Sequence, residues 1–165
     1  VITAHTKSAD DTRELAGAVA GLARPGDVIL LAGDLGSGKT TFAQGFGAGL
    51  GVQEPIVSPT FTLVRTYAGR IPLIHCDVYR LDHLQEVVDL GLAELLDDGG
   101  VALIEWGDVV VPALPADFLE IRLDYGDIDD AVRADEERKM RARVVGPTWA
   151  PRHAALAAAL SRWSS

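Results

Sequence analysis

The chain has a single cysteine, Cys76, so no internal disulfide can form and a reducing compartment, the cytoplasm, is expected. Its four histidines, His5, His75, His83 and His153, show none of the spacings of a structural zinc site. Positive charge is scarce: 15 Lys and Arg against 24 Asp and Glu leave a net charge of −9. A protein that grips nucleic acid unaided carries a basic face, because phosphate contacts dominate that affinity. The basic residues here are scattered apart from Arg138, Lys139, Arg141 and Arg143, which argues against direct binding of RNA or DNA. The acidic tract from Asp124 to Glu137 reads first as a solvated loop or helix face. No apolar run is long enough to span a membrane, and no basic leader precedes an apolar segment.

The 165 residues, 48% hydrophobic and 24% charged, suit one globular domain over 1–165. Residues 8–23 pattern as a helix, with Ser8 or Asp10 as cap and Leu15, Val19 and Leu22 on one face. Val28 to Ala32 is a buried strand. A helix is expected from Lys39 to about Leu50, and strands over 61–67 and 71–76, joined as a hairpin around Gly69 and Arg70. The pattern continues with a helix over 84–96, strands over 101–106, 119–123 and 142–145, and an alanine-rich helix over 149–163. Alternating strands and helices predict an α/β fold: a mixed, mostly parallel sheet with helices on both faces.

Residues 30–52, LLAGDLGSGKTTFAQGFGAGLGV, concentrate glycine around Lys39. Within them Gly33-Asp34-Leu35-Gly36-Ser37-Gly38-Lys39-Thr40 fits the phosphate-loop pattern G-x-x-x-x-G-K-[ST], between a strand and a helix as that motif requires. Glycines let successive backbone N–H groups turn inward on phosphate oxygens, and the helix presents its positive end to the same anion. Lys39 is expected on the β- and γ-phosphates and the Thr40 hydroxyl on Mg²⁺, with the cradle running on to Thr41. No [NT]-K-x-D element marks guanine, so ATP is the expected nucleotide. Gly45, Gly47 and Gly49 fall inside the helix, where each costs up to about 1 kcal/mol relative to alanine. Close helix packing is their expected role.

Hydrolysis also needs a carboxylate for the metal and a group that orients water. Asp77 follows the apolar run IPLIHC and Glu105 lies in VALIEW, both near C-terminal strand ends, where an open α/β sheet faces its ligand. Either one coordinates Mg²⁺ or polarises the attacking water; the spacing does not choose. In SPTFTLV (58–64), Thr60 reads equally well as a γ-phosphate sensor or as part of an ordinary turn and strand. Trp106 suits interior packing more readily than stacking on a base. His75 and Cys76 read as structural.

Together and in this order, GDLGSGKTTF (33–42), SPTFTLV (58–64), HCDVYRL (75–81) and IEWGD (104–108) resemble the TsaE family of bacterial P-loop ATPases. The resemblance implies an ATPase, weak alone, that binds the TsaD and TsaB proteins. Those partners install threonylcarbamoyl on the adenosine next to the anticodon of tRNA, and hydrolysis resets them for further turnovers. This chain would then meet tRNA only through the complex. The resemblance places Lys39 on phosphates, Thr40 on Mg²⁺, Asp77 in the metal and switch network, and Glu105 on Mg²⁺ or water. Thr60 would respond to the γ-phosphate and Trp106 would lie close to the nucleotide. Gly107 and Asp108 depart from the proline and glutamate that many relatives carry after I-E-W. Two other readings compete: a small-molecule kinase with Arg65, Arg70 or Arg80 as lid arginines, and a nucleotide-dependent binding module with negligible hydrolysis.

Overall fold

The computed structural model describes residues 1–33, 38–57, 64–78, 91–106, 117–125 and 137–164. The framework is a seven-stranded sheet. Its strands are β1 (Ile2–Thr6), β2 (Val28–Gly33), β3 (Val64–Tyr67), β4 (Leu73–Val78), β5 (Val101–Trp106), β6 (Phe118–Tyr125) and β7 (Arg138–Val145). The spatial order is β1-β7-β6-β2-β5-β4-β3. The central strands β6, β2, β5 and β4 run parallel, while β1, β7 and β3 join antiparallel to their neighbours. The helices are α1 (Ala9–Ala20), α2 (Lys39–Gly49), α3 (Leu92–Asp97) and α4 (His153–Ala159).

Strand alternation divides the core in two. Ile29, Leu31, Leu73, Val101 and Leu103 pack with α1, α2 and α4 on one face. Leu30, Ile74, Cys76, Ala102 and Ile104 pack with α3 on the other. The mixed sheet and its two helical faces are therefore as the sequence predicts. The hairpin is also present, with Val64 opposite Cys76 and Tyr67 opposite Leu73. Ser8 caps α1 by accepting from the Asp11 amide at 3.0 Å.

Several elements differ from expectation; β7, for one, begins at Arg138, well before the strand expected over 142–145. The strand β1 has no counterpart in the sequence reading, because its inward residues Ile2, Ala4 and Thr6 carry too little apolar bulk to announce a strand. Within the helix expected over 84–96, Gly91 has φ +97, a left-handed conformation, and α3 begins after it at Leu92. Residues 84–90 of that expectation lie outside the described residues. The terminal helix is split by 3-10 turns at Ala150–Arg152 and Ser161–Trp163. Tertiary ties override its alanine-rich propensity there: the Trp163 indole donates to Asp11 at 2.8 Å, and Ser164 bridges to Ala4.

The glycines inside α2 serve packing, as expected. A Cβ on Gly45 would stand 2.2 Å from the Arg13 carbonyl oxygen, and one on Gly49 would stand 2.7 Å from Ala20 Cβ. On the side facing the sheet, a Cβ on Gly47 would meet Ile56 at 1.9 Å. These gaps let α2 lie close to α1 and fix where its N-terminus meets the sheet.

Candidate nucleotide site

The strand β2 ends at Gly33 and α2 begins at Lys39, so the phosphate-loop motif occupies the turn between a buried strand and a helix. Residues 34–37, which include Asp34, Leu35, Gly36 and Ser37, lie outside the described residues. Gly38 takes the N-cap position with φ +103, which a side chain would strain. Among the described residues no side chain caps α2. Lys39 is buried at the first helical position, and Thr40 and Thr41 follow, half-buried.

Two carboxylates converge on the face that α2 covers. Asp77 and Glu105 are register partners on the parallel strands β4 and β5, and Glu105 in turn pairs with Leu31 of β2. Each is only 3% exposed. Period-two alternation puts both on the side of Leu31, Leu73 and Leu103, the side on which Phe42 and Phe46 of α2 pack. His75 shares that side, with its Nε2 3.0 Å from Glu105 Oε2. Cys76 points the other way, and burial, with Asp77 adding to it, pushes its thiol up to about 12.

A cavity of about 160 Å³ opens beside the start of α2, lined by Ala9, Thr12, Gly38, Thr41 and Arg138. Arg138 lies with its guanidinium carbon 4.6 Å from the Tyr125 ring centroid, and its Nε would be 3.5 Å from a Cβ on Gly38. A cation thus rests on the aromatic face and against the last glycine of the motif.

A family model described as threonylcarbamoyl adenosine biosynthesis protein TsaE matches residues 6–135. This chain belongs to the TsaE family. The Bacillus subtilis tRNA threonylcarbamoyladenosine biosynthesis protein TsaE is 41% identical over 143 residues, 86% of this chain and 85% of that one. The Treponema pallidum protein of the same name is 45% identical over 118 residues, covering 72% and 87%. The Streptomyces coelicolor protein of that name is 42% identical over 142 residues, covering 84% and 93%. Among solved structures, the crystal structure of Bacillus subtilis YdiB superposes with a TM-score of 0.70 at 36% identity, covering 98% of this chain and 94% of that one.

Within this TsaE-family chain, the structure brings Gly38, Lys39, Thr40 and Thr41 to the sheet end that carries Asp77 and Glu105. Gly33 stands at the entry to the motif. Thr60 falls outside the described residues, as do Arg80, Gly107 and Asp108. Trp106 is placed by its backbone alone, as the last residue of β5, opposite Ala32 and Val78. Arg70 is not a lid: its guanidinium donates to the Ala20 carbonyl at 2.7 Å, in the turn before β4 and away from the C-terminal strand ends. Arg65 lies over the Tyr67 ring within the hairpin.

The sequence reading missed Thr12, Arg138 and Tyr125, because the cavity joins α1 and α2 to β7, with Tyr125 of β6 meeting it through Arg138, and no local motif links these elements. It also read His75 only as structural. The H-x-D spacing held a signal, since residues two apart on a strand share a face. The donor set of the Thr40 hydroxyl and the Asp77 and Glu105 carboxylates is all oxygen, the chemistry that suits Mg²⁺. Among the described residues no group of three or more His, Cys, Asp or Glu could enclose a metal ion. These residues fit a cation held jointly by one or two carboxylates and a phosphate ligand.

Proposed function

We propose that this chain binds and hydrolyses ATP with Mg²⁺, as a cytoplasmic turnover factor for the TsaD–TsaB complex that installs threonylcarbamoyl on the adenosine next to the anticodon of tRNA. The observation that carries the ATPase reading is the register pairing of buried Asp77 and Glu105 on the α2 face of the sheet. Two adjacent buried carboxylates at the sheet end where the phosphate-loop helix begins supply the oxygen donors and negative charge that a nucleotide-bound cation takes. Family membership carries the pathway, and the names of the relatives place them in tRNA threonylcarbamoyladenosine biosynthesis.

In this reading the motif amides and the α2 N-terminus bind the phosphates, and Lys39 neutralises the β- and γ-oxygens. Thr40 and one or both carboxylates hold Mg²⁺, which when bound offsets charge developing on the transferred phosphoryl group. Glu105 holds the cation or orients the attacking water, and Asp77 supports that network. Thr60 and Trp106 are proposed to respond to the γ-phosphate and to lie near the nucleotide. The cavity between Thr12 and Arg138 gives room for the nucleotide beyond its phosphates. The net charge of −9 fits tRNA being reached only through the partners.

The test is ATP hydrolysis by the purified chain, alone and with matched TsaD and TsaB. Slow turnover alone and a clear rise with both partners is expected. Glu105→Gln should cut the stimulated rate by about 100-fold or more. No stimulation, with nucleotide bound and active partners present, would sink the turnover-factor reading. A small hydroxyl compound that accelerates ATP consumption without the proteins would favour a kinase.

A further inference from the structure

Glu105 is not held by its strand alone. His75 lies on β4, diagonal to Glu105 on β5: in the parallel register His75 faces Leu103, and Asp77 faces Glu105. The imidazole is fully buried, and its Nε2 is 3.0 Å from Glu105 Oε2. The other ring nitrogen, Nδ1, is buried and has no hydrogen-bond partner among the described residues. A carboxylate accepts and does not donate, so an ionised Glu105 requires the ring proton on Nε2. A ring that served packing alone would give up both nitrogens to an apolar core at a cost, and leucine would fill the place without it. Here one nitrogen makes a single polar contact, and that contact is to Glu105.

We propose that His75 is a positioning residue for Glu105: its Nε2–H pins Oε2 and leaves Oε1 as the oxygen available to the bound cation or water. The inference rests on Glu105 acting at the nucleotide's terminal phosphate, as proposed above. A glutamate has two side-chain torsions to settle before its terminal carboxylate rotation, and one buried donor removes most of that freedom. His75 itself touches neither nucleotide nor metal in this arrangement.

The test compares the full chain with its His75→Leu, His75→Gln and Glu105→Gln variants in partner-stimulated hydrolysis, with ADP affinity measured by calorimetry. Leu removes the donor, whereas Gln keeps an N–H at similar reach. His75→Leu should lower kcat about tenfold, the usual range for a group that orients a ligand. KM for ATP and ADP affinity should stay within about twofold, since the phosphate loop is untouched. His75→Gln should recover most of kcat. Equal losses in the Leu and Gln variants would make the role merely structural and overturn the proposal. Full activity in His75→Leu beside an inactive Glu105→Gln overturns this inference alone. Full activity in Glu105→Gln overturns the role of Glu105 and this inference with it, whereas no stimulated hydrolysis by the unmutated chain overturns the turnover-factor reading itself. Nitrogen-15 NMR of the wild-type imidazole tests the contact without any activity. A proton on Nε2 is expected, and a ring protonated only on Nδ1 would overturn the proposal even if the Leu variant failed to fold.

Discussion

The two ends of the sheet both bury charge, and they treat it differently. At the N-terminal end of β2, Asp27 and Arg152 form a bidentate pair, with both N–O distances 2.7 Å. Asp27 also accepts from the Arg24 amide at 2.7 Å, and Arg152 donates to the Leu22 carbonyl at 2.8 Å and lies 3.7 Å over the Trp149 ring. Opposite charges are matched within the chain, and the C-terminal segment is tied to the loop between α1 and β2. At the C-terminal end, two buried carboxylates are register partners on β4 and β5, and the His75 imidazole contacts Glu105. The first arrangement is closed and serves stability. The second gathers like charges at the sheet end where α2 begins, the kind of grouping that marks functional sites.

The largest effect should come from opening the closed end. Arg152→Leu leaves Asp27 buried opposite no cation and should cost about 3–5 kcal/mol in denaturant unfolding. Nucleotide affinity of the folded fraction should be unchanged, because the two ends are separated by the length of the strands. Comparable loss of nucleotide binding at full folding would break the division between the ends.

Lys39→Ala should act on the ligand. It should weaken ATP binding by roughly 2–5 kcal/mol, through phosphate charge left without its buried cation. Calorimetry with ATP on the folded variant reads it. Wild-type affinity in this variant would mean that the motif is misplaced.

The closed end was hidden in the sequence and the open end was largely legible, for a physical reason. Gly33 to Thr40, Asp77 and Glu105 each carry a local mark: a motif, or a carboxylate ending an apolar run. Parallel strands then align such residues without further instruction, because strand alternation fixes the face and the sheet fixes the end. Arg152 and Asp27 meet across 125 positions, and nothing near either residue names the other. The same holds for Arg138 against Gly38. β1 escaped because Thr and Ala fill inward positions there, and the 84–96 helix was overdrawn because apolar periodicity does not register the left-handed φ of Gly91. His75 was the one missed residue whose position could be read, two before Asp77 on the same strand face.

Cys76 gives the smallest effect and tests where the open end stops. It stands between His75 and Asp77 in sequence, yet alternation turns it to the opposite face, among Leu30, Ile74 and Ile104. Burial foremost, and then the Asp77 charge, raises its thiol from 9.0 to about 12. Between those values the unfolded chain has released this proton while the folded chain keeps it. Unfolding therefore releases a proton, and stability falls as pH rises, by about 1.4 kcal/mol per pH unit at most. Below pH 9 the contribution is fully present. Cys76→Ala should lose a little packing at neutral pH and flatten the alkaline limb of the stability curve from pH 9 upward. In the native protein the thiol should resist a disulfide reagent at pH 8 and react promptly once denatured. Fast native labelling, or an alkaline limb unchanged in the alanine variant, would place Cys76 in the open end and erase the boundary that alternation draws through β4.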